Sequence, residues 1–337
     1  MPHILLTGAG FSRNWGGLLA NEAFEYLLGA SRVDSVLRQL LWQVKDQGGG
    51  FEDALAQLQG ALGSQFSAQT EEGLRNLTSA VSEMFGDMYL GFDSRDFEPQ
   101  TTDDTMNIST FLSRFDAIFT LNQDTLLEQK FIGKMLGYNS LDRAGRLVSS
   151  KHLTSYIPGL KTAKERIALG RASELISLRE PDPENFRLNA DSLPYIKLLG
   201  SCDWIVDRGL LLILGGNKAA NIAKYPILRW YHAEFAKALT TPNTKLMIIG
   251  YSFNDGHINE AIQRAAKQGG LSLFIIDPLG TDVLDKRDRN PFGSIREPAR
   301  ELLETLAPSI IGASRRSFLS TFSDDYVEYD KVMRFFG

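Results

Sequence analysis

The stretch Ile4-Leu5-Leu6-Thr7-Gly8-Ala9-Gly10-Phe11-Ser12 reads as a short buried strand that runs into a glycine turn and then a helix. Gly8 permits the tight turn, and Gly10 removes the Cβ that would hold backbone amides away from a pyrophosphate. The pattern is partial. A full dinucleotide fingerprint wants a third glycine three positions after Gly10, where Arg13 stands, and no acidic residue closes a second strand about 20 residues on. A plain dehydrogenase therefore fits poorly, and the meaning of the turn depends on the rest of the chain.

Three further segments have the same shape: Ala117-Ile118-Phe119-Thr120-Leu121-Asn122-Gln123-Asp124, Tyr195-Ile196-Lys197-Leu198-Leu199-Gly200-Ser201-Cys202-Asp203-Trp204, and Leu246-Met247-Ile248-Ile249-Gly250-Tyr251-Ser252-Phe253-Asn254-Asp255-Gly256-His257-Ile258-Asn259. Each is an apolar run ending in small and polar residues. Ligands of open parallel sheets bind just beyond the carboxyl ends of the strands, so four such ends would line one crevice. The expected fold is α/β, a doubly wound, mostly parallel Rossmann-like sheet with strands at 3–7, 117–121, 195–198, 246–249 and 271–276. Helical insertions are expected at 18–115 and 125–190 within a domain of residues 1–280, followed by a helical tail at 281–337. In the first insertion Val36, Leu37, Leu40, Leu41 and Val44 form a helical stripe, and Gly48-Gly49-Gly50 separates it from the next. In the second, Arg143, Arg146, Lys151, Lys161, Lys164, Arg166 and Arg171 read as a solvated face. In the tail, Tyr326, Tyr329, Val332, Phe335 and Phe336 make an amphipathic stripe suited to packing on the same domain or on another subunit.

The composition narrows the class. The chain has 337 residues, 43% hydrophobic and 23% charged, with a net charge of −5 and no block of lysine or arginine, which argues against a dedicated nucleic-acid surface. Its one cysteine, Cys202, excludes an internal disulfide and a cysteine-only zinc site, and reads as a buried small residue. No run of about 18 apolar residues suggests a membrane span, and a cytoplasmic, soluble protein is expected.

The four segments resemble, in order and wording, the sirtuin family, and more narrowly the sirtuin-like domains of bacterial anti-phage defence proteins. GAGFS looks like the sirtuin phosphate loop, TLNQD like its strand end, KLLGS stands where sirtuins carry a histidine-glycine pair, and GYSFNDGHIN resembles the ribose-contacting strand of the defence branch. The resemblance implies NAD as substrate, with Gly8, Ala9, Gly10, Phe11, Ser12, Asn122, Gly200, Ser201, Gly250, Ser252 and Asp277 lining its site and Asn122 and Asp124 as catalytic candidates; His257, in a strand-to-helix turn near the crevice, is a third candidate by its own position. It implies no metal, since the four-cysteine module of deacetylase sirtuins is missing. It also implies a homo-oligomer and a HerA-type ATPase as partner, with no P-loop in this chain.

Each residue has a plainer reading beside this one. Asn122 and Asp124 are good helix N-caps, and Asp277 before Pro278 suits a turn. Leu199 is the main departure: leucine cannot move a proton as the family's histidine does. Another residue then serves, with His257 or Asp124 nearest; or Asn122 and a positioned water suffice; or the chain binds without cleaving. His3, His152 and His232 stand outside the motifs. The leading expectation is an NAD hydrolase releasing nicotinamide and ADP-ribose as a defence effector. A silent NAD- or ADP-ribose-binding sensor or scaffold is the alternative, and a protein deacylase ranks below both.

Overall fold

The computed structural model describes residues 1–64, 67–101, 106–134, 136, 140–141, 147–148, 151–164, 170–172, 176–207, 209–215, 218–285 and 298–337. Seven strands form the central sheet: β1 (His3–Thr7), β2 (Ala117–Thr120), β3 (Thr154–Tyr156), β4 (Ser192–Lys197), β5 (Lys245–Ile249), β6 (Ser272–Ile276) and β7 (Ile310–Ser314). Their spatial order is β7-β6-β5-β1-β2-β4-β3, and every neighbouring pair is parallel. Leu5, Leu6, Ile118, Ile196, Met247 and Leu273 are fully buried, as expected for strands covered on both faces. The expected Rossmann-like sheet is present.

The chain builds outward from β1 to one side, through β2 to β4 and β3. It then returns to the other side of β1 for β5, β6 and β7. The strand order therefore reverses between β1 and β5, and the crevice of the fold lies at their carboxyl ends.

Helices Ala20–Leu28, Ser35–Asp46, Phe51–Ser64 and Ala68–Asp93 fill the connection from β1 to β2. Asp34 caps the second of these by accepting from the Leu37 amide at 2.9 Å. Leu37, Leu41 and Val44 are buried, whereas Val36 is exposed, because successive helical residues do not share a face. Helix Pro226–Thr240 precedes β5, and its Phe235 packs on Phe119 of β2 with ring centroids 4.9 Å apart.

Two regions hold more strand than expected. Part of the second insertion joins a four-stranded sheet of Leu160–Thr162, Arg179–Pro181, Gly200–Val206 and Gly209–Leu212. The segment after residue 281 carries helices Pro298–Leu306 and Tyr326–Met333 as read, but Ile310–Ser314 between them is β7, an edge of the central sheet. Lys151, Lys161, Lys164 and Arg171 are exposed, whereas Arg143, Arg146 and Arg166 lie outside the described residues.

The aromatic stripe of the tail is spent inside the chain. Phe335 lies 5.5 Å from His3 and 6.2 Å from Phe274, and Phe336 lies 5.1 Å from Phe115, all between ring centroids. Tyr329, Val332 and Phe335 are buried. The stripe packs on its own domain, so it no longer argues for a subunit contact.

At the switch point two turns touch backbone to backbone. Gly8 N–H donates to the Ile249 carbonyl and Gly10 N–H to the Gly250 carbonyl, each at 3.0 Å. A Cβ on Gly250 would lie 2.4 Å from the Gly10 carbonyl carbon, and Gly250 sits at φ +63°. Gly250→Ala should therefore destabilise the protein by at least about 2 kcal/mol, from overpacking and left-handed strain together. Urea unfolding measures this, and an unchanged midpoint would mean that the turns part freely.

Candidate functional site

The carboxyl ends of β1 and β2 are joined side chain to side chain. Thr7 Oγ1 donates to Thr120 Oγ1 at 2.7 Å, and Thr120 Oγ1 accepts from the Asn122 amide at 3.0 Å. Leu121 N–H donates to the Thr7 carbonyl at 2.9 Å, which continues the ladder one residue past the strand. The backbone is thereby fixed where Asn122 begins.

Three of the candidate residues lie together. Asn122 Nδ2 donates to Ser12 Oγ at 2.8 Å, and the Ser12 hydroxyl favours the charged form of the neighbouring Asp124 carboxyl. Ser12, Asn122 and Asp124 expose 2%, 7% and 7% of their surfaces. Burial pushes the Asp124 carboxyl above its ordinary range, against the pull of Lys197, the Leu126 amide and Ser12. Asp124 Oδ1 accepts from the Leu126 amide at 3.1 Å, so the helix-capping reading of Asp124 holds beside the site reading. Asn122 Oδ1 is buried with no hydrogen-bond partner. An orphaned buried acceptor of this kind costs free energy unless a donor arrives, and a ribose hydroxyl or a water is such a donor.

The loop that carries Asn122 and Asp124 is held by residues that the strand-end motifs did not single out. Gln123 Nε2 donates to the Leu199 carbonyl at 3.1 Å and to the Ile213 carbonyl at 2.9 Å, which ties the loop to the end of β4. Lys197 has 0% exposure; its Nζ donates to the Asp124 carbonyl and, at 2.6 Å, to Glu128 Oε1. Burial alone would lower the Lys197 ammonium, but Glu128, Asp203 and Asp124 together raise it, so it stays charged. Burial raises the Glu128 carboxyl to about 7 against the attraction of Lys197. A lysine inside an apolar strand, three residues before a second strand rich in buried side chains, was the available signal for this anchor.

The glycine turn serves the fold first. The amides of Gly8, Gly10 and Phe11 all pair within the protein, the last with the Gly8 carbonyl at 2.9 Å, and Ala9 stays exposed on the turn. Gly250 faces Gly10, whereas Ser252 is exposed beyond it. Gly200 and Ser201 are buried in the second sheet, where Ser201 Oγ donates to the Gln123 carbonyl at 3.4 Å. A Cβ on Gly200 would lie 2.1 Å from the Leu211 carbonyl oxygen, so that glycine is required by the turn out of β4. Asp277 Oδ1 accepts from the Leu279 amide at 2.8 Å, which is the turn geometry. Cys202 is buried, and burial lifts its thiol well above the usual range.

His257 stands apart from the Ser12-Asn122-Asp124 group. It opens helix Gly256–Gln268, and its ring lies 5.4 Å from that of His232, centroid to centroid. His232, outside every motif, holds its Nε2 at 2.9 Å from the Leu198 carbonyl. Beside them Lys218 Nζ bridges Asp255 at 2.8 Å and Glu52 at 3.0 Å. The loop before the helix is pinned by the Tyr251 hydroxyl on Asn259 Oδ1 at 2.9 Å and by Asn259 Nδ2 on the Phe253 carbonyl at 2.9 Å.

Most of this constellation lies inside the matched part of a known family. The SIR2-like domain family matches residues 116–294, more than half of the 337-residue chain. The chain belongs to the SIR2-like domain family. No curated protein matches it. SIR2-like domains bind NAD, and the family includes NAD-utilising enzymes. The match covers Asn122, Asp124, Leu199, Gly250 and His257; the glycine turn at Gly8–Ser12 precedes it and joins the domain through the contacts with Asn122 and Gly250. Among the described residues, no group of three or more His, Cys, Asp or Glu side chains is placed to hold a metal ion, and no helix is long and apolar enough to cross a membrane.

Removing the buried cation should loosen this SIR2-like site from behind. Lys197→Met leaves the Glu128 carboxylate and the Asp124 carbonyl without their donor and should cost about 3–5 kcal/mol in denaturant unfolding at pH 8. Adding Glu128→Gln should recover part of that loss, because the uncompensated charge is gone. Equal stability of the single and double variants would show that the pair is not coupled.

Proposed function

We propose that the protein hydrolyses NAD, releasing nicotinamide and ADP-ribose. The observation that carries this reading is the buried, unpartnered Asn122 Oδ1, held by Ser12 beside a carboxyl with raised proton affinity, at the carboxyl end of a central strand in a SIR2-like domain. Cleavage of the nicotinamide–ribose bond develops positive charge at the anomeric carbon, and water completes it. Asn122 offers an acceptor to a ribose hydroxyl or to that water, with its amide nitrogen already fixed on Ser12. Asp124, held by the Leu126 amide, supports the developing charge from behind.

The near-complete burial of Ser12, Asn122 and Asp124 suits an enzyme that is quiet at rest. Access to Asn122 requires the neighbouring turns to move, and assembly or a partner is the natural trigger. On the resemblance to defence-type domains, the chain is an NAD-depleting anti-phage effector in the cytoplasm, works as a homo-oligomer, and answers to a HerA-type ATPase or another sensor. Sedimentation across micromolar concentrations should show species above 37.5 kDa; a monomer throughout would remove the assembly part of this reading.

A silent NAD- or ADP-ribose-binding subunit is the second reading. It is favoured by Leu199 and by the pairing of the Gly8, Gly10 and Phe11 amides within the fold. Free nicotinamide separates the two. The purified chain, alone and with its genomic neighbour, is incubated with NAD, and Asn122→Ala is run beside it. The variant should fold normally and lose about a hundred- to a thousand-fold in rate, the usual loss for one well-placed polar group in a catalytic pocket. Equal turnover by both proteins would place the reacting centre elsewhere, and no turnover by the wild type under either condition would leave the binding subunit.

A further inference from the structure

We propose that His232 supplies, from helix Pro226–Thr240, the proton acceptor that the end of β4 lacks at Leu199. The inference rests on the NAD-hydrolase reading and deepens it.

The geometry is specific. His232 Nε2 lies 2.9 Å from the Leu198 carbonyl oxygen. A carbonyl only accepts, so Nε2 carries the hydrogen, and in the neutral ring Nδ1 is left with a free lone pair. The ring is therefore held in one tautomer and one orientation by the backbone immediately before Leu199. The same residue's amide, Leu198 N–H, donates to the Thr120 carbonyl at 2.9 Å, and Thr120 Oγ1 accepts from the Asn122 amide at 3.0 Å. The imidazole is thus referenced through three hydrogen bonds to the residue that presents the orphaned acceptor.

His257 completes the pair. Its ring lies 5.4 Å from that of His232, and its Nε2 is buried without a partner. The charged groups around His257 are Asp255, Lys218 and Glu260, and Lys218 is neutralised by Asp255 and Glu52. Burial above all, with the neighbouring His257 adding to it against the hydrogen bond to Leu198, lowers the His232 ring to about 4. The imidazole is thus present as a base at neutral pH.

In the step assigned to it, a water oxygen bonds to the anomeric carbon of the ribose as the bond from that carbon to the nicotinamide nitrogen breaks. The bonding pair returns to the pyridinium ring and neutralises it. The water proton passes to His232 Nδ1 and then to solvent, so that NAD and water give nicotinamide, ADP-ribose and one proton.

His232→Gln is the discriminating variant, because the glutamine amide can still donate to the Leu198 carbonyl but cannot take up a proton. It should fold as the wild type, bind ADP-ribose with unchanged affinity by calorimetry, and lose about 10²–10⁴-fold in kcat with little change in KM. His232→Ala should lose as much and regain part of it with added imidazole. Nitrogen-15 spectra of the labelled histidines should show His232 as the neutral ring protonated at Nε2. Wild-type-like turnover by His232→Gln overturns the assignment and leaves the hydrolase reading standing. So does a His232 ring protonated at Nδ1. A wild type that releases no nicotinamide with or without its neighbour fails the hydrolase reading itself, on the wild-type assay alone, and this inference falls with it.

Discussion

The backbone of the Gly8–Gly10 turn rests directly on that of Gly250, and this contact sets the rest of the site. It joins the carboxyl ends of β1 and β5, the two strands between which the strand order reverses. Neither side tolerates a Cβ: on Gly8 it would lie 2.5 Å from the Gly250 carbonyl oxygen, and on Gly10 2.7 Å from the Gly250 Cα. Closing the two turns this tightly places Ser12, four residues after Gly8, over the end of β2. There its hydroxyl accepts from the Asn122 side-chain amide, beside the Asp124 carboxyl. The glycines commonly read as a phosphate cradle are thus first a hinge-like seam of the fold, and their paired amides become available to a ligand only if the seam opens.

A second constraint acts from behind. Lys197 brings a full charge into the interior, where the desolvation of an ammonium is large unless it is paired and hydrogen-bonded. Glu128 and the Asp124 carbonyl answer it. The loop between them cannot shift without exposing an unpaired charge to the core, and Gln123 adds two bonds to the neighbouring turn. One side of the candidate site is therefore rigid and the other, at the glycine seam, is held by neutral backbone bonds. Motion that admits a ligand is cheaper at the seam.

The parts of the fold legible in the sequence were those whose signal is local. The runs at β1, β2, β5 and β6 are three or four apolar residues followed by a turn, and each is where the pattern placed it. β7 was not legible. Ile310–Ser314 is short, contains Gly312 and is followed by Arg315 and Arg316, and it is a strand because Phe274 of β6 packs where a side chain on Gly312 would sit. The proximity of Ser12 and Asn122 was legible because both follow recognisable strands that prove to be neighbours in the sheet. Lys197 and His232 were not, since a charge in an apolar run and a lone histidine in a helix look the same in sequence whether or not their partners, on other elements, converge on them.

Leu199 marks where the local and the three-dimensional readings part. Along the chain it removes a proton acceptor from the end of β4, and nothing near it in sequence restores one. In space the carbonyl one residue earlier holds an imidazole from a helix that packs against β2 through Phe235. The two arrangements differ in what they require of the fold. A histidine on the strand end is placed by the strand alone, whereas one on the helix is placed only while that helix stays seated on the sheet. Its position then depends on Phe235, on the Leu198 carbonyl and on the neighbouring His257 at once. A site built this way is sensitive to any event that shifts the helix relative to the strand ends.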